Sequence, residues 1–175
     1  GSVWNRLGSR VTVIEMLPKI ASALDGQIAR SLQRILTGQG LSFRLKTKVI
    51  GAEVQNGRVG LELESDEEKD EMTCERLLVA IGRRPLTRGL DLEKIGVEID
   101  SNSGRIRVDN EYRTNIRSIF AIGDLIAGPM LAHKASAEGV AAVECIARRT
   151  GEVNYDAIPS VIYTSPEAAS VGLTE

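Results

Sequence analysis

The residues from Val3 to Glu15 carry a helical hydrophobic pattern that changes to a strand pattern. Val3 and Leu7 share one helical face, and Gly8 follows them as a typical helix stop. The β-branched run at residues 11–14 then predicts a strand. Since a helix needs a partner to cover its apolar face, we expect an earlier strand, with the sequence beginning inside a βαβ unit.

A longer amphipathic helix is predicted over Asp25–Gln39. Its apolar residues recur at spacings of three and four, Asp25 is a typical N-cap, and Gly40 is typical of the position after a helix. Short β-type runs follow, and Asn56-Gly57 is a hairpin signal between the last two. The predicted meander consists of Leu41–Leu45, Val49–Gln55 and Arg58–Glu64. The acidic run after it, residues 65–71, predicts a solvated loop.

The remaining chain predicts one long helix among short strands and loops. The helix covers Ala132–Arg149, and a short helix is predicted near Asp91–Lys94. The loop Gly82–Pro85 marks a boundary, because proline disfavours helix at the residue before it. The predicted β segments are Leu77–Ile81 as a buried strand, Val97–Ile99, Ile106–Val108, Ile119–Ile122 as a fully apolar strand, and Ser160–Thr164. No closing element follows, so we expect the sequence to end within a fold as well.

Composition and charge narrow the class of protein. Hydrophobic residues make up 42% of the 175 and charged residues 26%, which is typical of a soluble globular protein. No apolar run reaches the roughly 18–20 residues of a membrane span, and the start lacks the apolar core of a signal peptide, so we expect no membrane span and no secretion. The net charge of −2 offers no basic field for nucleic acid. Cys74, Cys145 and a single histidine form no zinc set, and we interpret both thiols as small buried hydrophobes.

Two acidic residues follow predicted strands, where open α/β sheets bind ligands. Glu15 can accept hydrogen bonds from both hydroxyls of an adenosine ribose and would repel a 2′-phosphate, which favours NAD over NADP. A merely solvated glutamate is the equal alternative. Asp124 can accept a hydrogen bond from a polyol hydroxyl, while Gly123 lets a ligand approach the backbone. An ordinary Gly-Asp turn is the alternative there.

The start of the second long helix is a third candidate site. Unpaired N–H groups and the positive dipole end near Ala132 suit the partial negative charge of a reduced flavin ring. His133 is the sole imidazole, and no carboxylate or nucleophile lies at a recognisable catalytic spacing from it. We therefore interpret His133 as a packing or cofactor-contact residue rather than a base.

Four motifs, in this order and at these separations, resemble the dihydrolipoamide dehydrogenases, within the FAD-dependent pyridine nucleotide-disulfide oxidoreductase family. The motifs are GSVWNRLGSRVTVIE, LLVAIGRRP, IFAIGDLIAGPMLAHKASAEG and PSVIYTSPEAASVG. The resemblance implies an α/β fold of Rossmann-like NAD- and FAD-binding domain portions with a small antiparallel meander, plus the start of an α+β interface domain. It places the later NAD-binding domain at 1–84, the returning FAD-binding segment at 85–155 and the start of the dimerisation domain at 156–175.

The resemblance also implies a role for each matching residue. Glu15 corresponds to the acidic residue on the NAD adenosine ribose, Val49 to the residue on the adenine side, and Gly82 to the glycine whose backbone approaches NAD. Asp124 corresponds to the aspartate that binds the FAD ribitol. The segment beside the flavin ring corresponds to Met130, Leu131, Ala132 and His133.

The activity implied by the resemblance is oxidation of protein-bound dihydrolipoamide to lipoamide, with electrons passing through an enzyme disulfide and FAD to NAD⁺. The implied partners are the lipoyl domain of 2-oxo acid dehydrogenase complexes and, when the protein is intact, a second copy of itself. The implied compartment is bacterial cytoplasm or mitochondrial matrix. The redox cysteine pair and the catalytic His-Glu dyad have no counterpart here, so we expect the chain alone to be inactive. A mercuric or glutathione reductase-like flavoprotein and a non-catalytic nucleotide-binding module remain alternatives.

Overall fold

The computed structural model describes residues 1–66 and 68–173. They form two compact units: unit 1 comprises residues 1–79 together with the segment from Pro159, and unit 2 comprises Ala80–Ile158. The α-helices are α1 (Ser2–Arg6), α2 (Gly26–Gly38) and α3 (Ala132–Ile146). The strands are β1 (Thr12–Ile14), β2 (Ser42–Arg44), β3 (Lys48–Gln55), β4 (Arg58–Ser65), β5 (Glu68–Cys74), β6 (Ser160–Ile162) and β7 (Ala168–Ser170). None of the described helices has the length and apolar character that a membrane crossing requires.

Unit 1 contains a parallel βαβ arrangement. β1 pairs with β2 in parallel, with Val13 opposite Phe43, and α2 provides the crossover that a parallel pair needs. The Asp25 carboxylate accepts hydrogen bonds from the N–H groups of Gln27 and Ile28 at 2.7 and 3.2 Å, so it caps α2 as predicted. The mixed helix and strand architecture confirms the predicted α/β class.

The core of unit 1 forms where α2 meets the segments around it. Its apolar spacing directs Leu32 and Leu36 inward, each 4% exposed. The β6–β7 hairpin contributes Ala168 to the same core, and the Gln39 side-chain amide donates to the Ser165 carbonyl at 2.6 Å. The segment after Pro159 therefore packs as part of unit 1.

The meander has three strands as predicted, but Leu41–Leu45 is not one of them, because its strand β2 pairs with β1 and an unpredicted strand, β5, completes the antiparallel sheet. β3 and β4 pair in an antiparallel ladder around Asn56-Gly57, whose positive φ values of 50° and 77° confirm the hairpin. β5 pairs with β4, with Asp70 opposite Leu63, so the solvated loop predicted for residues 65–71 is wrong. The charged segment forms a strand because an edge strand can keep charged side chains in solvent while its backbone hydrogen bonds form. Glu67 lies outside the described residues.

Two predicted strands are also wrong. Leu77–Ile81 has no ladder to any described strand and is exposed, with Leu78 at 71% and Ile81 at 95%. A strand exists only where a neighbouring backbone completes its hydrogen bonds, and the described residues supply none here. Ile119–Ile122 makes a single antiparallel bridge, Phe120 to Arg113, because the backbone turns at once into a 3₁₀ helix at Gly123–Leu125.

Unit 2 packs its irregular segments against α3. The predicted segments around residues 97–99 and 106–108 meet in one antiparallel bridge, Ile99 to Ile106, and the predicted short helix is a 3₁₀ helix at Leu92–Ile95. α3 begins at Ala132 as predicted but ends at Ile146, because the chain then folds back onto the helix. A Cβ at Gly151 would lie 2.1 Å from the Ala141 carbonyl oxygen. The buried core consists of Val97, Ile106, Tyr112, Ala121, Ile126, Ala141 and Ala142.

The cap of α2 makes the stability of unit 1 sensitive to acid. The N–H groups of Ile28 and Gln27 hold the pKa of Asp25 below its ordinary value. Since the folded pKa is lowered, this contribution is complete above the unfolded value of about 3.9 and is lost as pH falls through the folded value. We predict that Asp25→Asn, which keeps an acceptor, reduces the acid loss of unfolding free energy in urea titrations. Asp25→Ala should lower stability at every pH, and identical acid slopes in Asn and wild-type proteins would contradict the prediction.

Candidate functional site

In unit 1 the carboxyl end of β1 presents Glu15. Its N–H donates to the Arg44 carbonyl at 2.9 Å, and its carbonyl accepts from the Thr47 N–H at 3.1 Å. The Glu15 carboxylate accepts from the Leu17 N–H at 2.9 Å, which anchors the side chain at the turn after the strand. The structure therefore places a half-buried carboxylate where open α/β sheets bind ligands.

An open polar groove lies beside this strand end, lined by Met16, Lys46, Lys48, Glu64 and Asp66. The bond from Thr47 to Glu15 brings the start of β3 to the same place, and Val49 follows there with 41% of its surface exposed. An accessible apolar side chain two residues beyond this bond, together with the anchored carboxylate, suits a ligand with an aromatic ring and adjacent hydroxyls.

In unit 2 the loop that contains Gly82 contacts Asp124 through the side chain of Arg83. Gly82 has φ of 131°, and nothing lies within 4 Å of where its Cβ would be, so its backbone is open to close approach. The next residue, Arg83, donates to the Asp124 carboxylate. Both side chains are accessible, with 67% of Arg83 and 31% of Asp124 exposed. The ion pair thus links Asp124 to the residue that follows Gly82.

The residue before Asp124 is held on both sides by α3. The Gly123 N–H donates to Glu138 Oε2 at 2.7 Å, and the Gly123 carbonyl accepts from Lys134 Nζ at 3.3 Å. Gly123 has φ of 70°, and a Cβ there would lie 2.9 Å from Cβ of Ala135. Only glycine fits both this backbone conformation and this contact.

Lys134 and Glu138 form an ion pair in the interior of unit 2. Their charged atoms lie 2.8 Å apart, and both side chains are completely buried. The Tyr155 hydroxyl donates to Glu138 Oε1 at 2.9 Å and lies 3.2 Å from the Tyr112 hydroxyl. Burial, the hydrogen bond with Tyr112 and the bond to Glu138 all raise the pKa of Tyr155, so this phenol stays protonated as a donor. Among the described residues, every buried side-chain nitrogen and oxygen has a partner.

The N-terminus of α3 lies a few residues beyond Asp124. Leu131 occupies the N-cap position in an extended conformation and supplies no side-chain cap. Met130 and Leu131 are half-buried, while Ala132 and His133 are exposed. The first turn of a 15-residue helix therefore presents backbone N–H groups and a positive dipole end without a side-chain cap from Leu131.

The sequence pattern did not identify Arg83, Lys134, Glu138 and the two tyrosines as site residues. A signal for the ion pair exists, because Lys134 and Glu138 share their helical face with the buried Ala141 and Ala142. The prediction that both cysteines are buried is wrong, because Cys74 and Cys145 are half-buried free thiols near the ends of β5 and α3. Within residues 1–66 and 68–173, no group of three or more His, Cys, Asp or Glu could hold a metal ion.

The sequence of this chain matches a known family over most of its length. The model for pyridine nucleotide-disulphide oxidoreductases matches residues 1–139, and the chain belongs to that family. Over its whole length the chain is 50% identical to the mitochondrial dihydrolipoyl dehydrogenase of Schizosaccharomyces pombe and 52% identical to dihydrolipoyl dehydrogenase 2 of Arabidopsis thaliana. It is also 48% identical to a protein from Glycine max named leghemoglobin reductase. The chain spans about a third, 34–35%, of the length of these relatives.

Solved structures show the same fold. The HOCl-induced flavoprotein disulfide reductase RclA from Escherichia coli matches 99% of this chain with a TM-score of 0.86 and 24% identity, and the match covers 39% of that protein. LpdA from Mycobacterium tuberculosis matches 98% with a TM-score of 0.85 and 24% identity, and the match covers 37% of that protein. At this identity the likeness establishes the fold alone.

The contact at Gly123 generates a prediction for two glycines of equal φ. Gly104 also has φ of 70°, but nothing lies within 4 Å of where its Cβ would be. We predict that Gly104→Ala lowers the unfolding free energy by about 1–2 kcal/mol through backbone strain alone. Gly123→Ala should add about 1–3 kcal/mol, because its Cβ overlaps Ala135. Urea unfolding measures both losses, and equal losses would show that the contact with α3 does not matter.

Proposed function

We propose that this chain forms parts of the NAD- and FAD-binding domains of a dihydrolipoyl dehydrogenase. The reaction converts protein-bound dihydrolipoamide and NAD⁺ into lipoamide, NADH and a proton. The observation that carries this proposal is 50–52% identity over the entire chain to dihydrolipoyl dehydrogenases of yeast and plant mitochondria. Within it, residues 1–84 belong to the NAD-binding domain, 85–155 to the FAD-binding domain and 156–175 to the start of the interface domain.

The NAD-facing residues are Glu15, Val49 and Gly82. The Glu15 carboxylate, held by the Leu17 N–H, accepts hydrogen bonds from the adenosine ribose hydroxyls. Val49, with 41% of its surface exposed, gives the adenine an apolar contact. Gly82 lacks a side chain where the dinucleotide meets the backbone. The negative charge of Glu15 disfavours a 2′-phosphate, so the protein selects NAD⁺ over NADP⁺.

The residues near Asp124 fit parts of a flavin nucleotide. The Asp124 carboxylate is accessible and lies beside a residue without Cβ, so it can accept a hydrogen bond from a ribitol hydroxyl. Residues Met130–His133 at the N-terminus of α3 would hold the flavin ring, and the N–H groups of the helix start would favour partial negative charge on it. When bound, FAD would supply the two-electron chemistry that links an enzyme disulfide to NAD⁺. This chain supplies binding, orientation and electrostatics.

The same proposal names partners and a compartment. The substrate is the lipoyl domain of a 2-oxo acid dehydrogenase complex, and the intact enzyme is a homodimer. Its compartment is the mitochondrial matrix, as the names of the relatives suggest, with bacterial cytoplasm as the alternative. The names of the dihydrolipoyl dehydrogenases support the substrate and the mitochondrial compartment.

The role of Glu15 predicts a change in nucleotide preference. In the dehydrogenase that carries this chain, we predict that Glu15→Gln raises the NAD⁺ dissociation constant by about tenfold, as expected for loss of charge-assisted hydrogen bonds. The NADP⁺ dissociation constant should not rise, since repulsion of the 2′-phosphate is removed. Glu53→Gln, on an exposed part of β3, is the matched control. Equal NAD⁺ affinity in the Glu15 variant and wild type would refute the assignment.

The isolated chain and its parent protein should behave differently. We predict that the 175-residue chain binds FAD substoichiometrically and produces no NADH from dihydrolipoamide. The parent protein should bind FAD stoichiometrically and produce NADH. Visible absorbance and an NADH assay measure this, and Asp124→Asn in the parent should reduce bound flavin.

The reading frame before Gly1 provides an independent check: a glycine loop and paired cysteines upstream support the dehydrogenase. A start codon immediately before Gly1 would instead favour a nucleotide-binding module. A stoichiometric, active flavoprotein made of this chain alone would contradict the prediction.

A further inference from the structure

We propose that the buried Lys134–Glu138 pair is a positioning device for the cofactor site. It fixes the Gly123–Asp124 segment to the first turns of α3, so that the Asp124 carboxylate and the helix N-terminus keep one relative geometry. The identity of the ligand as a flavin rests on the proposed function, whereas the contacts of the pair are independent of it.

The first argument is that the two side chains bind different peptide groups, one on each side of Gly123. Glu138 accepts the N–H of Gly123 at 2.7 Å, and Lys134 donates to its carbonyl at 3.3 Å. These atoms belong to the peptide groups before and after one residue. Neither peptide plane can rotate without losing a bond to a buried charge, so the direction in which Asp124 leaves the backbone is set by α3.

The second argument is the course of the loop after Asp124. A Cβ at Gly128 would lie 2.8 Å from Cε of Lys134, so the loop closes directly over the lysine stem. Gly128 has φ of 103°, a conformation that glycine adopts readily. The loop therefore contacts Lys134 at both Gly123 and Gly128 before the chain enters the helix that carries the lysine.

The third argument is the desolvation penalty of burying two charges, which the fold does not need for packing alone. Well-packed apolar residues often replace a buried ion pair without loss of stability. Here the two charges are directed at loop backbone, and the second carboxylate oxygen is satisfied by Tyr155. The arrangement is what a device that orients a loop requires, and an apolar pair of the same volume would fill the space without orienting Gly123.

Hydrogen exchange on the 175-residue chain tests this directly. In the double variant Lys134→Met/Glu138→Met we expect the Gly123 amide to exchange at least about tenfold faster, the equivalent of one lost hydrogen bond, while the amides of Ala141 and Ala142 keep their protection. Glu144→Gln removes a carboxylate from the same helix and should leave Gly123 unchanged. Unchanged Gly123 exchange, or equal acceleration throughout unit 2, would overturn the proposal.

A milder variant covers the case in which the double variant does not fold. Glu138→Gln keeps the side-chain shape but replaces charge-assisted bonds by weaker neutral ones. It should also accelerate exchange at Gly123 more than at Ala141 and Ala142. If Glu138→Gln folds and leaves Gly123 as protected as in the wild type, the pair does not position the loop.

Flavin affinity in the parent protein separates positioning from stability. At conditions where each variant is fully folded by circular dichroism, we expect Glu138→Gln to raise the FAD dissociation constant at least about threefold, since neutral hydrogen bonds are roughly half as strong. Glu144→Gln should leave it unchanged. Lower stability with unchanged FAD affinity would show a purely structural role and overturn the proposal. If Asp124→Asn leaves FAD affinity unchanged, the proposed role of Asp124 fails, and amide exchange still decides whether the pair orients the loop.

Discussion

The geometry around Asp124 depends on two opposite charges that have both been removed from water. Moving either Lys134 or Glu138 alone into the interior has an effective penalty of several kcal/mol, and mutual attraction offsets it only when the remaining donors and acceptors are also satisfied. In unit 2 the Gly123 backbone and the Tyr155 hydroxyl complete those bonds. Removing one member of the pair would therefore destabilise unit 2 by about 3–5 kcal/mol. The buried charges and their hydrogen bonds thus hold the Gly123–Asp124 segment against α3.

Unit 1 presents its carboxylate by a different physical route. Glu15 lies where it does because β1 and β2 pair in parallel and α2 packs on them through apolar residues such as Leu32 and Leu36. Backbone hydrogen bonds to Arg44 and Thr47 then fix the strand end. No buried charge is needed, since sheet topology alone brings the carboxylate to the edge. One unit thus positions its acidic residue by strand pairing and the other by a buried polar network.

The parts that sequence patterns predicted correctly are those with local causes. The α2 helix follows from apolar spacing and its Asp25 cap, and the β3–β4 hairpin from Asn56-Gly57. The predicted strand at Leu77–Ile81 is wrong because a strand depends on a neighbouring strand that local sequence does not reveal. β5 was missed because its charged residues suggested a loop. The Lys134–Glu138 pair was missed for a related reason. A lysine and a glutamate four residues apart is also the spacing of an ordinary surface pair, and only its phase relative to buried alanines distinguishes it.

Two ion pairs meet at the Gly123–Asp124 segment, and they differ in their capacity to exchange partners. Arg83 and Asp124 are both accessible, and an exposed pair adds little to stability, so a ligand hydroxyl can compete for that carboxylate without disturbing the fold. Lys134 and Glu138 cannot exchange their partners for water or a ligand, because both are completely buried. Since the two pairs meet at adjacent residues, Gly123 stays fixed while the Asp124 carboxylate remains open to recognition. A rigid backbone beneath an exchangeable acceptor is the arrangement that a site needs to bind a polyol in one orientation.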